Sequence, residues 1–537
     1  MVAVSDSTKG AAGQQDTGVR VWEPHVTRAP VGSAVEFLLR SGQLVSERPC
    51  VSDGRVRWSY REVIQRAGAV AGALAQQGIR GKPVLLFFPR GVEGVVAIAG
   101  TLMSGNYYVP LDVAAPAARQ QLVLSRFPDA RVLTCSEHAR LLPPDLAPTR
   151  TVLLDSLWNH GLPSFQHALV AAAAATERVL DCDPVYVMHT SGSTGVPKGV
   201  TIAHRGVIDY IRWAADLFAL TPADVLGNQA PLHFDNSTLD VFLSWACGAE
   251  LYVIPASTIG FPGALVRDLR ARRVSFVFFV PSALIAVARC RALEGQTLPD
   301  LKVVAFAGEV MPTKHLLYWQ DHHPVCKYVN LYGPTEITVD CTYYVVDRRL
   351  SPDEPVPIGR PRCNMDVVAL DERGEPVERG KIGELCVRGS ALALGYWSDA
   401  EATSARFVQN PAGGHYADLL YRTGDLGYVN DEGQLVFVGR RDTQIKHLGH
   451  RIELEEIEVA AVSLDGVANA CALYDRGASE IVLVYESPQG IAAGDVAAGL
   501  AHRLPRYMVP RRIVAWKRLP LTGSGKVDRQ LIARELC

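Results

Sequence analysis

The stretch with the most chemistry in this sequence is residues 189–200, HTSGSTGVPKGV. Gly192, Gly195 and Gly199 leave backbone N–H groups open to close approach, Thr190, Ser191, Ser193 and Thr194 add hydroxyls, and Lys198 adds a positive charge. A loop of that make-up can surround phosphate oxygens. It is not the common nucleotide loop GxxxxGK[ST], because Pro197 precedes Lys198 where that pattern has glycine and Gly199 follows where a hydroxyl would hold magnesium. Farther on, residues 330–336 (NLYGPTE) put an amide, an aromatic ring, a Gly-Pro turn, a hydroxyl and a carboxylate side by side. Asp235 directly follows Phe234 in an otherwise apolar, strand-like stretch, where an acid is costly to bury unless a cation pairs with it. Lys526 stands in a Gly-Ser loop, TGSGK, 11 residues from the C-terminus. A long stem with a compact ammonium on such a loop suits a group that must arrive and leave.

Residues 185–188 are a short apolar run, so the 189–200 loop should leave the end of a strand. Residues 60–77 carry apolar side chains at helical spacing, and residues 83–88 (PVLLFF) read as a strand buried in a parallel sheet. The same helix-then-strand texture recurs at 91–103 and 107–111, at 238–245 and 250–254, and at 264–270 and 274–280. One mostly parallel sheet flanked by helices is the economical reading for residues 30 to about 340. Beyond residue 355 the segments become short and alternating (366–370, 383–388, 434–438), as in antiparallel strands of a smaller barrel. An amphipathic stretch at 452–464 opens a C-terminal module. The expected fold is α/β: a large N-terminal domain of layered sheets and helices (31–441) with a barrel-like β subdomain, then a small mobile α+β domain (442–537), with the hinge at Asp442.

The 54 Lys and Arg balance 56 Asp and Glu, for a formal charge of −2. Such a chain has no overall field to hold nucleic acid or an anionic membrane, and neither is expected as a partner. With 48% apolar and 20% charged residues it is neither disordered, collagen-like nor a coiled coil as a whole. Its 11 cysteines include no CxxC pair and make an odd total, the usage of free thiols in a reducing compartment. Residues 1–30 lack the apolar centre of a secretory signal and are expected to form a disordered tail, and no long apolar run follows. A soluble, cytoplasmic protein is expected.

The 189–200 loop is one of several stretches that follow in a set order: 105–112 (GNYYVPLD), 234–242 (FDNSTLDVF), 330–336, 383–397 (GELCVRGSALALGYW), 421–428 (YRTGDLGY), 439–457 (GRRDTQIKHLGHRIELEEI) and 519–529 (LPLTGSGKVDR). In types, spacing and order they resemble the adenylate-forming superfamily, and within it the amino-acid-activating adenylation domains of nonribosomal peptide synthesis. The resemblance runs from about residue 34 to the end of the chain.

That resemblance implies ATP and Mg²⁺ as cofactors. Tyr332 is implied to stack on adenine beside Phe437, Asn330 to bond its exocyclic amine, and Gly308 and Glu309 to border the nucleotide. Asp425, assisted by Arg440, is implied to bind both ribose hydroxyls, a bidentate role suited to a carboxylate. Thr335 would contact the α-phosphate and Glu336 would hold Mg²⁺. The loop residues Thr190, Ser191, Gly192, Ser193, Thr194, Gly195 and Lys198 would take the phosphates, with Thr190 counted beside Glu336 and Lys526 among the catalytic groups. Lys526 would enter from the small domain and bond carboxylate and phosphate as charge develops. The implied amino-acid pocket comprises Phe234, Asp235, Asn236, Leu239, Phe279, Ala305, Ala307, Leu331, Gly333, Val339 and Asp340, closed by Lys526. The position at Phe279 is open by one residue, since Phe278 is adjacent. Asp235 would pair with the substrate's α-ammonium. The mostly apolar lining suggests a modest side chain, either a compact ring such as proline or one bearing a donor that reaches Asp340; Asp340 could equally turn to solvent or pair with a lysine.

Three positions depart from the family's pattern: His189 and Phe437 stand where tyrosine is usual or frequent, and Glu455 where glycine is usual. None removes a catalytic group. No carrier-protein serine motif follows Lys526 before Cys537, so the expectation is a free-standing enzyme that meets a carrier protein, with its phosphopantetheine thiol, in trans; a small activator protein is a further partner to consider. The expected reaction makes an aminoacyl adenylate and passes the acyl group to that thiol by positioning and charge stabilisation, without a protein nucleophile. An acyl-CoA or aryl-acid ligase of the same superfamily is the alternative, disfavoured because Asp235 would repel a carboxylate substrate lacking an amine. An inactive binding or scaffold homologue is the second, disfavoured by Lys526, Glu336 and Asp425.

Overall fold

The computed structural model describes residues 31–143, 146, 148–192, 196–413, 415–475, 477–520 and 527–536. The expectations for the 1–30 tail, for Ser193, Thr194 and Gly195, and for Lys526 lie outside the described residues.

Helix Tyr60–Gln76 starts at a reciprocal cap, in which the Ser59 hydroxyl accepts the Glu62 N–H and the Glu62 carboxylate accepts the Ser59 N–H. Its apolar residues Val63, Ile64, Ala67, Val70 and Leu74 are buried against helix Val92–Met103, in which every residue but Glu93 is buried. A helix apolar all round must lie inside, and this one lies between two sheets.

The sequence texture predicts one sheet; the structure forms two. In the first, the order is Thr151–Leu153, Arg131–Thr134, Pro83–Leu86, Tyr107–Pro110, Pro184–Thr190, Lys198–Ala203 and Gly395–Tyr396, parallel as far as Pro184–Thr190 and antiparallel from there on. In the second, Lys327–Tyr332, Val303–Phe306, Phe276–Phe279, Val225–Asn228, Glu250–Val253 and Pro49–Ser52 run parallel, with antiparallel strands at both edges. The partition depends on which distant strands pair, as when Val51 registers with Leu251, and helix–strand alternation carries no information about that. One buried cluster joins them, with Leu86 and Tyr186 from the first sheet, Val51 and Leu226 from the second, and Val70 and Trp245 from helices between.

The alternating segments beyond residue 355 form an antiparallel sheet of Met365–Leu370, Gly383–Gly389, Leu419–Val429, Phe407–Gln409 and Leu435–Arg440. The chain then passes Asp442 into the hairpin Gln444–His447/His450–Glu453, helix Leu454–Val462 and a small sheet of Asn469–Asp475, Glu480–Glu486 and Arg512–Trp516, which has its own core around Ile457, Leu483 and Leu500. The architecture is α/β, with large layered N-terminal and small C-terminal parts. Among the described residues no helix is long and apolar enough to cross a membrane, and the described cysteines are unpaired thiols.

Candidate active site

The carboxyl ends of strands from both large sheets converge with the small domain's hairpin on one cavity. Ends of parallel strands are where open α/β sheets hold ligands. Strand Pro184–Thr190 contributes Thr190, and the loop beyond it Ser191. Thr190 pairs with Lys198 across the hairpin, and the Lys198 ammonium lies 5.4 Å from the centre of the Tyr396 ring. A Cβ on Gly192 would come within 2.2 Å of the Val196 carbonyl, so the loop can turn this tightly only with glycine there. His189, the departure at the loop's start, has both ring nitrogens buried and unpartnered among the described residues; burial pushes its ring down to about 3 and keeps it neutral.

Strand Lys327–Tyr332 ends in the 330–336 turn. Tyr332 donates its hydroxyl to Asp425 at 2.6 Å, its ring lies 6.4 Å from that of Phe437, and the Asn330 amide nitrogen donates to the Pro357 carbonyl at 2.7 Å. Asp425 and Arg440 face each other across paired strands and form a buried ion pair; Arg440 also donates to both oxygens of Asp442, at 2.6 and 2.7 Å. Glu336 is 1% exposed. Burial alone would raise its carboxyl, but the Arg451 charge and hydrogen bonds from Tyr396 (2.8 Å) and Arg451 (2.7 Å) outweigh burial and hold it below the usual range. Among the described residues no cluster of three or more His, Cys, Asp or Glu could cage a metal. One buried carboxylate suits magnesium, which binds through one or two carboxylates plus phosphate oxygens and water.

Asp235 does not lie in a strand, as its apolar surroundings suggested. It occupies the cap position of helix Asn236–Cys247, on the cavity wall, where burial raises its carboxyl against an opposing hydrogen bond from Thr335. Asp340 turns neither to solvent nor to a lysine ion pair. It is 1% exposed, lines the cavity and accepts the Tyr210 hydroxyl at 2.6 Å, and burial pushes it up to about 7. The turn that aims it is strained: Thr338 and Val339, both β-branched, adopt left-handed φ of 59° and 70°. Gly333 is required beneath it, since a Cβ there would meet the Val339 carbonyl at 2.4 Å and the Asp340 Cα at 2.7 Å.

Phe234, Asn236, Ala307, Gly308, Gly333 and Thr335 also reach the cavity wall. Leu239, Ala305, Leu331 and Val339 are buried in the main apolar core, together with Phe278. Phe279 packs in a different apolar cluster from Phe278. The Glu309 carboxylate accepts the N–H groups of Ser282 and Gly449, both at 2.8 Å, and so joins the two domains.

Sequence reasoning gave no role to Lys446 and Arg451 of the small domain, nor to Arg119 of helix Ala117–Leu124, all on the cavity wall. The first two lie within the 439–457 motif, which was the available signal; an arginine on a short surface helix offers none. Glu455, the departure from glycine, accepts the Thr443 hydroxyl one residue beyond Asp442.

Residues 40–397 match the family model described as AMP-binding enzyme, and residues 456–526 match that of the AMP-binding enzyme C-terminal domain. The chain belongs to the AMP-binding enzyme family. It is 33% identical over 494 residues to an L-proline–[L-prolyl-carrier protein] ligase of Streptomyces coelicolor, covering 88% of this chain and 90% of that protein. It is 32% identical over 496 residues to tyrocidine synthase 2 of Brevibacillus parabrevis, covering 92% of this chain but only 13% of that much longer protein. Among solved structures IdnL1 superposes with a TM-score of 0.77 at 28% identity, covering 93% of this chain and 99% of the other.

Proposed function

We propose that this AMP-binding enzyme is an amino-acid-adenylating ligase, which condenses an amino acid with ATP and then loads the acyl group onto the phosphopantetheine thiol of a separate carrier protein. The observation that carries the reading is the meeting in one cavity of Asp235, a half-buried acid with no cation bonded to it among the described residues, and the set Thr190, Thr335, Asp425 and Arg440, to which Tyr332 and Glu336 connect by hydrogen bonds with the wall residues Asp425 and Arg451. The first suits an α-ammonium; the second suits a nucleotide.

The adenine stacks on Tyr332 beside Phe437, with its amine toward Asn330 and with Gly308 bordering it. The ribose hydroxyls meet Asp425, whose charge Arg440 compensates. Thr190, Ser191, Gly192, Ser193, Thr194, Gly195 and Lys198 hold the β- and γ-phosphates, and Thr335 the α-phosphate. Glu336 would hold Mg²⁺, which when bound would supply positive charge to neutralise the phosphates. The amino acid's carboxylate oxygen attacks the α-phosphorus as the bond to the β-phosphate oxygen breaks, and Lys526 supports the negative charge of that transition state. The thiol then attacks the acyl carbon, and AMP leaves.

The substrate's side chain is short and carries a donor for Asp340. A buried acid held at about 7 beside a second acid, Asp235, is more easily reconciled with a cationic or hydroxyl-bearing side chain than with the plain ring of proline, on which the Streptomyces relative acts. The unpaired thiols support a cytoplasmic location. The test is an ATP–pyrophosphate exchange screen over amino acids and their desamino analogues. Exchange with short diamino or hydroxy amino acids and none with desamino acids is expected; exchange with desamino acids overturns the reading.

A further inference from the structure

Three contacts between the domains fall on the groups assigned above to magnesium and phosphate. The Arg451 guanidinium sits 2.7 Å from Glu336 Oε2, on the carboxylate assigned to the metal. The Glu456 carboxylate, 1% exposed, accepts the backbone N–H of Gly192 at 3.3 Å and pairs through its other oxygen with Arg119. The Ser191 hydroxyl donates to the Arg451 carbonyl at 2.8 Å. Within six residues of one segment, the small domain thus places a cation where the metal belongs and an anion where phosphate belongs.

We propose that Arg451 and Glu456 are an internal stand-in for magnesium pyrophosphate, and that Arg119 is a further pyrophosphate-binding residue. This rests on the reading that Glu336 holds the metal and the 190–198 loop the phosphates. One backbone N–H cannot serve both a carboxylate and a phosphate oxygen, and Glu336 cannot hold Arg451 and Mg²⁺ through the same oxygen. The domain arrangement seen here and bound magnesium pyrophosphate therefore exclude each other. Removing the pyrophosphate would otherwise leave Glu336 without a cation and Arg119 without an anion in a largely buried cavity, where an uncompensated charge is costly. Arg451 and Glu456 compensate both at once. Departure of the leaving group is thereby coupled to docking of the small domain, and returning pyrophosphate must compete with it. Because such coupling is reciprocal, whatever weakens docking tightens pyrophosphate binding.

The test uses the full chain with two dyes at exposed positions, Val325 in the large domain and Gln489 in the small one, and follows energy transfer during titration with magnesium pyrophosphate. Wild type should shift from one transfer value to another. In Glu456→Gln, and independently in Arg451→Gln, half the shift should be reached at about tenfold lower pyrophosphate. Unchanged midpoints in both variants overturn the exclusion, as does calorimetric binding of magnesium pyrophosphate to wild type with no change in transfer. Absence of any calorimetric binding of magnesium pyrophosphate or magnesium ATP to wild type is a different failure, since it removes the phosphate and metal assignments on which the exclusion stands.

Discussion

Replacing Asp340 by Asn separates the charge of the pocket acid from its shape, because the amide oxygen can still accept the Tyr210 hydroxyl. Burial raises the Asp340 carboxyl from 3.8 to about 7. The folded chain therefore holds this proton more tightly than the unfolded chain. The resulting stabilisation is complete below the unfolded value and is lost as the pH rises through about 7. With roughly 1.4 kcal/mol per pKa unit, the contribution is about 2.5 kcal/mol at pH 5 and close to zero at pH 8. The amide of the Asp340→Asn variant has nothing to titrate. Urea unfolding of both proteins at these two pH values should show the variant gaining about 2.5 kcal/mol on wild type as the pH rises. A cationic substrate side chain must displace the proton, so the wild-type KM for the amino acid should climb as the pH falls below 7, by up to about tenfold per unit, and the variant's should not follow it. Parallel stability curves for the two proteins would refute the placement of Asp340 as a buried, proton-holding acid on the cavity wall.

Asp235→Ala should lower kcat/KM for the amino acid by about 3 kcal/mol or more while the KM for ATP hardly moves; steady-state exchange kinetics with each substrate varied in turn decide it. Gly333→Ala forces a methyl into the Val339 carbonyl, and the shifted turn should abolish amino-acid activation with only a modest loss of thermal stability, read by exchange and calorimetry. Asp442→Pro, at the proposed hinge, should leave adenylate formation largely intact and suppress thioester formation, and equal loss of both half-reactions would point to a different hinge. Lys526→Ala should cut single-turnover adenylation by a factor on the order of 10² to 10³ and spare thioester formation from preformed aminoacyl adenylate.

What could be read from the sequence was chemistry carried by distinctive local groups. The carboxylate, aromatic and hydroxyl residues of 330–336, the glycines of the 189–200 loop and Asp425 all declare themselves by type and spacing, and of these Thr335 and Asp425 line the cavity. Three things were not legible, each for a physical reason. Strand Phe276–Phe279 (FVFF) is buried on both faces, so no alternation marks which phenylalanine faces the pocket. Asp235 reads as a strand residue because the helix it precedes is buried on nearly every face and so shows no polar stripe at helical spacing. The meeting of Arg119 with Glu456 and of Arg451 with Glu336, and the place of Lys446 on the cavity wall, depend on how two domains meet, and that lies in no local pattern.

The central claim is that the amino acid's carboxylate oxygen becomes bonded to the α-phosphorus of ATP, and the most direct measurement follows that oxygen. The enzyme is incubated with magnesium ATP, an amino acid labelled with ¹⁸O in both carboxylate positions, and hydroxylamine in place of the carrier thiol; the products are then weighed by mass spectrometry. The AMP should carry one ¹⁸O, the pyrophosphate none, and the aminoacyl hydroxamate should retain the other ¹⁸O. Unlabelled AMP, or ADP and phosphate as the products, would contradict the claim.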